Sequence, residues 1–178
     1  MTTEIPHHRP AYRLLDHTSD IKVEIYGHDL SELFTNAAFC LFDLMLDVGK
    51  VEPNREREVK LESPNLEELF LDWLRELLFL FSTESFAVRL AEVRVRYQGT
   101  ESRVPSPGSI ASGGWTLAAV LHGESYDPDR HGFKVEVKTP TYHEYKLEGP
   151  VSVSGIGNRS KPSAVSKECF RVTLVLDV

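Results

Sequence analysis

Two helix-length apolar stripes, each set between shorter segments of alternating character, limit the folds open to this chain more than any other feature. In the first, Leu30, Leu33, Phe34, Ala37, Ala38, Leu41, Phe42 and Met45 recur at three- and four-residue spacings, the repeat of a helix with one face in a core. In the second, Leu66, Leu69, Phe70, Trp73, Leu74, Leu77, Leu78 and Phe81 repeat in the same way. Leu71, Phe79 and Leu80 widen that stripe, which predicts a helix buried on most sides. Asp29 with Glu32, and Asn65 with Glu68, have the spacing of helix-opening caps, where a side-chain oxygen accepts from a first-turn amide. The first helix is expected to reach about Asp47 with Gly49 as its stop, and the second to reach about Ser82.

The segments around these helices read as strands. Ile21, Val23 and Ile25 alternate with Lys22, Glu24 and Tyr26, so one face is predicted buried and the other wet, with Asp20 on the wet parity at the strand's start. Residues 54–62 alternate through Val59 and Leu61 within a run of mixed charge, which suits an edge strand where charge discourages stray pairing. Further strands are expected at 86–97 and 115–122, at 133–137 continuing beyond Pro140 through Tyr142 to Leu147, and at 170–178. The order is β-α-β-α followed by four strands. In the closing strand Phe170, Val172, Leu174 and Leu176 share a face and Asp177 falls on the opposite parity. Gly123 to His131 is expected to be an Asp- and Pro-dominated turn. Residues 1–11 read as a loosely held terminus in which His7 and His8 receive no role, and 98–114 and 149–167 as flexible insertions.

Composition narrows the class further. A length of 178 residues with 41% apolar side chains suits one domain spanning 1–178 with a sizeable core. The net charge of −7 argues against a broad grip on nucleic acid, since neutralising phosphates takes clustered Lys and Arg. No leader pattern or membrane-length apolar stretch is present, so the expected address is the cytoplasm. Cys40 and Cys169 lack metal or redox spacing and read as ordinary buried thiols.

Two clusters carry candidate chemistry. The corner Asp16-His17-Thr18-Ser19-Asp20 gathers oxygen and imidazole groups where the first strand begins, which suits either an ordinary turn or a binding site. Asp177 and the oxygens of Val178 form the second cluster. Should the two strand ends meet, their carboxylates repel unless a cation lies among them, and oxygen-only donors favour calcium or magnesium. Zinc is disfavoured because no Cys/His set has suitable spacing, and His17 has no imidazole partner in its corner.

A resemblance covers nearly the whole chain. His17-Thr18-Ser19-Asp20-Ile21, Leu33-Phe34-x-Asn36-Ala37-Ala38 and Leu41-Phe42-Asp43-Leu44-Met45 match motifs in order, followed by Trp73-Leu74-x-Glu76-Leu77-Leu78. Gly123-Glu124-x-Tyr126-Asp127-Pro128-x-Arg130-His131, Val137-Lys138-x-Pro140-Thr141-Tyr142-His143 and Leu174-Val175-Leu176-Asp177-Val178 complete the set. The sequence resembles the archease family, whose members usually carry Ala where Ser19 stands and shorter segments at Gln98–Trp115 and Gly149–Lys167.

The resemblance implies an α+β two-layer sandwich, with two helices on one face of a mostly antiparallel mixed sheet. It also implies a divalent metal, calcium with magnesium as the alternative, held by Asp20, Asp177 and Val178. Lys138 matches the family's functional lysine, and His17 is its neighbour in a partner contact or a structural residue. The implied partner is an RtcB-type RNA ligase of tRNA splicing and RNA repair, to which GTP and manganese would belong. The chain would promote guanylylation of that ligase's active-site histidine and its multiple turnover, without being an enzyme, so no catalytic residue is assigned. Two alternatives are a metal-dependent phosphoester hydrolase with His17 as proton carrier, and a chaperone-like binding module using the Leu- and Phe-rich second helix.

Overall fold

The computed structural model describes residues 11–99, 113–152 and 168–178, with the side chains of 150–152 and 168 excepted. The expectations for residues 1–10, including His7 and His8, and for 100–112 and 153–167 lie outside the described residues. Strands β1 (Tyr12–Leu15) and β2 (Ile21–Gly27) precede helix α1 (Leu30–Met45) and a 3-10 turn at Val48–Lys50. Then follow β3 (Arg55–Ser63), α2 (Leu66–Glu84), β4 (Phe86–Tyr97), β5 (Trp115–Ser125), the short helix α3 (Pro128–His131), β6 (Thr139–Ser152) and β7 (Glu168–Asp177). The strands form two sheets, in the orders β1-β2-β7-β6 and β3-β5-β4, and every pair is antiparallel. This is an α+β sandwich. From β2 onward the order is the expected one.

Both helices begin where their caps place them. Asp29 Oδ1 accepts from the Glu32 amide at 2.8 Å and Asn65 Oδ1 from the Glu68 amide at 2.8 Å. Glu32 reaches back to the His28 amide, completing a reciprocal box one residue ahead of the cap. Gly27 makes the β2–α1 junction possible: a Cβ there would stand 2.3 Å from the Leu33 amide nitrogen. α1 stops at Leu46 rather than Gly49, which lies in the 3-10 turn, because Asp47 N–H donates to His131 O at 2.8 Å and pulls the chain out of register. α2 ends on Ser85, a left-handed C-cap with φ of 51° whose amide donates to Leu80 O.

α1 packs on β2 and β4, and so bridges the two sheets, while α2 reaches β3, β4, β5 and β6. Between the helices Trp73 Nε1 donates to Phe34 O at 2.9 Å, and Phe34 meets Phe70 edge-on at 4.9 Å between ring centroids. The partner for Trp73 removes the desolvation penalty of a fully buried indole N–H. α2 is buried through Leu71 and Leu80, as its wide stripe predicts, but Phe79 stays 56% exposed.

Three expectations need correction, and one strand lies where the sequence carries no expectation. Tyr12–Leu15 is a strand without an alternating signal, made so by pairing with β2. Gly123 to Ser125 extend β5, and Pro128–His131 form a helical turn capped by Asp127. Residues 133–137 are not a strand; the chain there is held by Lys134 N–H to Met45 O at 2.8 Å and joins the sheet only at Thr139. Residues 149–152 belong to β6 rather than to a loop. β3 is an edge strand, as its charge run implies, and Cys40 and Cys169 are both buried.

Candidate functional site

The two strand ends singled out in the sequence lie side by side. β2 pairs with β7 through Ile21 opposite Leu176, so the ladder continued by one residue sets Asp20 across from Asp177. β6 enters on the other flank of β7 with Thr139 opposite Asp177. Lys138 then donates twice, from its amide to Asp177 O and from Nζ to Val178 O, each at 2.9 Å. Directly opposed residues project to one side of a sheet, so Asp20, Asp177 and Thr139 share the face that Lys22 and Thr141 continue. Lys138 already stations a positive charge on the Val178 oxygen, and Asp20, Asp177 and Thr139 on the shared face offer oxygen donors. That donor set fits a hard divalent ion.

The outer face of this sheet is drier than strand parity suggests. Glu24 and Tyr26 are both buried, because Arg13 pairs with Glu24 at 2.7 Å and the Tyr26 hydroxyl donates to the same carboxylate. Arg171 joins them, 3.8 Å from Glu24 and 2.6 Å from Glu148. Burial, then the Glu24 hydrogen bond, pushes the Tyr26 phenol up to about 12.

His17 does have an imidazole partner. His17, His143 and Glu144 bring one donor atom each within 4.8 Å of one another, the one group of three or more His, Cys, Asp or Glu side chains to do so among the described residues. The sequence spacing that argued against a nitrogen site is irrelevant, since His17 lies in the loop between β1 and β2 and His143 within β6. The Asp20 amide lies 3.4 Å from His17 Nδ1, so this cluster adjoins the carboxylate corner.

A bulge in β6 presents His143 and Glu144. Thr141 faces Val175 and Lys146 faces Thr173, so β6 spends five residue steps where β7 spends two. Tyr142 and Tyr145 pin the bulge: the Tyr142 hydroxyl donates to Glu68 of α2 under the Arg75 guanidinium, 5.7 Å from the ring centroid, and Tyr145 packs on Phe70. Between them Glu144 adopts φ of 53°, a conformation non-glycine residues rarely hold, and its carboxylate accepts from Lys22 Nζ. Lys22 first, and His143 and His17 after it, hold that carboxyl below its ordinary range.

A second motif folds into something different. Glu124 accepts from the Glu52 amide at 2.6 Å and from His131 Nε2 at 3.0 Å, and pairs with Arg130. His131 is 0% exposed, and its Nδ1 accepts from the Asp127 amide at 3.0 Å, which assigns the proton to Nε2. Arg130 above all, then the Glu52 amide, lowers the Glu124 carboxyl to about 2. This nest joins β5, α3 and the segment before β3, with its polar atoms satisfied internally. The Asp- and Pro-rich sequence predicts only a turn here.

A profile described as the Archease protein family (MTH1598/TM1083) matches residues 12–178. The chain belongs to the archease family. Among its relatives, the protein archease of Methanosarcina acetivorans is 38% identical over 147 residues, 81% of this chain and 90% of that one. The archease of Thermococcus kodakarensis is 41% identical over 133 residues, 75% of this chain and 84% of that one. The solution structure of Methanobacterium thermoautotrophicum protein 1598 superposes with a TM-score of 0.62 at 25% identity, covering 96% of this chain and all of that one. The crystal structure of a Thermotoga maritima archease, described as a possible chaperone, shares the fold with a TM-score of 0.50 at 18% identity, covering 97% of this chain and 98% of that one. No helix among the described residues of this archease is long and apolar enough to cross a membrane.

Proposed function

We propose that this archease is a cytoplasmic accessory factor of an RtcB-type RNA ligase, promoting guanylylation of the ligase's active-site histidine and repeated turnover in tRNA splicing and RNA repair. The observation that carries the reading is the register of β2, β7 and β6, which gathers Asp20, Asp177, Val178 and Lys138 from three remote motifs onto one sheet edge. Asp20, Asp177 and an oxygen of Val178 would hold the ion, calcium before magnesium. A bound divalent cation supplies positive charge that can orient phosphate oxygens. Lys138 positions the Val178 oxygen and adds a second cation at the edge, and His17 flanks it as a partner contact. The chain itself performs no covalent step; GTP and manganese belong to the ligase.

The test is ligase turnover with GTP and manganese in the presence of Asp20→Ala or Asp177→Ala. Each variant is expected to lose at least about tenfold of the stimulation. Full stimulation by both overturns the reading.

One observation favours a chaperone-like reading beside it. An open groove of about 680 Å³ is lined by Phe79, Phe133, Met45 and Leu78 and runs to Lys138. Phe79 and Phe133 are 56% and 58% exposed, more apolar surface than a closed fold needs to leave out. Suppression of an unrelated protein's aggregation that survives Asp20→Ala but fails in Phe79→Ser with Phe133→Ser would support it.

A further inference from the structure

We propose that His17, His143 and Glu144 form a second metal site, which takes a zinc-class transition ion rather than the hard ion suited to the carboxylate edge beside it. Two imidazole nitrogens and one carboxylate oxygen are the donor set of open zinc centres, with water in the remaining position. The donors lie mutually within 4.8 Å, and His143 Nε2 stands 3.6 Å from Glu144 Oε1. The edge of a tetrahedron around zinc with such ligands is about 3.3 Å. Closure therefore asks mainly for side-chain rotation at exposed His143 and Glu144, toward half-buried His17.

The backbone is built for this presentation. The β6 bulge has no pairing role for His143 and Glu144, yet it is fixed on both sides by Tyr142 on Glu68 and Tyr145 on Phe70. Its left-handed Glu144 is held, at a non-glycine position, where the carboxylate meets both histidines. Strained conformations that surrounding structure over-determines cluster at ligand clamps. Glu144 accepts from Lys22 Nζ, an ammonium with which a bound cation would compete for the carboxylate. The ion replaces that charge. The two sites also differ in what feeds them: nitrogen and one carboxylate here, oxygens alone at Asp20, Asp177 and Val178.

Full-length protein carrying His7→Ala and His8→Ala, which removes the remaining adjacent histidine pair, is titrated with cobalt(II) and with zinc in competition. The expected result is one ion bound per chain with the intense visible bands of a tetrahedral cobalt centre. His17→Gln and His143→Gln should each weaken binding at least about tenfold. Lys22→Met should tighten it about threefold by releasing Glu144. Asp177→Ala should leave cobalt binding unchanged while calcium binding falls. Cobalt affinity unchanged in His143→Gln overturns the proposal. So does loss of cobalt binding in Asp177→Ala, which would assign the ion to the carboxylate edge. Failure of calcium binding or of ligase stimulation alone touches the preceding reading and leaves this one standing.

Discussion

The Glu124 nest and the Asp20–Asp177 edge are both charged, and both are assembled from residues distant in sequence. They differ in saturation. Around Glu124 nearly every donor meets an acceptor inside the protein, His131 is fully buried, and the carboxyl is held at about 2. At the edge, Asp20 and Asp177 are half-buried and His143 and Glu144 exposed, with Lys138 donating to Val178 O and Lys22 to Glu144. A charged motif that has used up its bonding capacity internally stabilises a fold; one with capacity left over can bind.

The largest effect expected from this contrast is on stability. His131→Ala removes a fully buried ring, leaves the Asp127 amide unpartnered and takes from Glu124 Oε1 one of its two donors, the Glu52 amide remaining. It should lower the free energy of urea unfolding by about 3 kcal/mol. Asp177→Ala should stay within about 0.5 kcal/mol. Equal losses would erase the distinction.

Acid sharpens it next. The folded Glu124 carboxyl lies at about 2 against an ordinary 4.5, so its contribution is complete above about 4.5 and disappears as pH falls toward about 2. Unfolding midpoints measured across that window should drop, and Glu124→Gln should flatten the part of the slope that this carboxyl carries. A smaller effect belongs to the bulge: Tyr142→Phe removes the Glu68 anchor at a cost of about 1 kcal/mol, read by thermal melts, and should weaken cobalt binding as well. Smallest of all, Lys138→Met should change stability by less than about 0.5 kcal/mol while reducing ligase stimulation. A large stability loss there would move Lys138 to the structural side of the comparison.

Much of this was legible in the sequence where the physics is local. Asp29 and Asn65 cap helices through their own first turns, and the stripes on α1 and α2 follow from helical period. The parity of Asp20 and Asp177 placed both on the face opposite their strands' core residues, and the register made them neighbours. What escaped were features set by pairing partners. Tyr12–Leu15 is a strand only because β2 lies beside it, and Glu24 is dry only because Arg13 and Arg171 roof it. The meeting of His17 with His143 depends on a bulge whose extra residues leave no periodic trace. The Asp127-Pro128 pair did signal a helix start, but a helix of four residues has too little apolar repeat to be told from a turn.

Ser85 offers a practical lever. An L-residue with a Cβ is kept at φ of 51° where α2 hands over to β4, and its carbonyl accepts from Tyr126 N–H at 2.6 Å, far along the chain from Asp20 and Asp177. Glycine there would relax the backbone while keeping both main-chain bonds, a gain of about 1 kcal/mol. The resulting background would rescue weakened variants for assay without touching Asp20, Lys138, Asp177 or the β6 bulge.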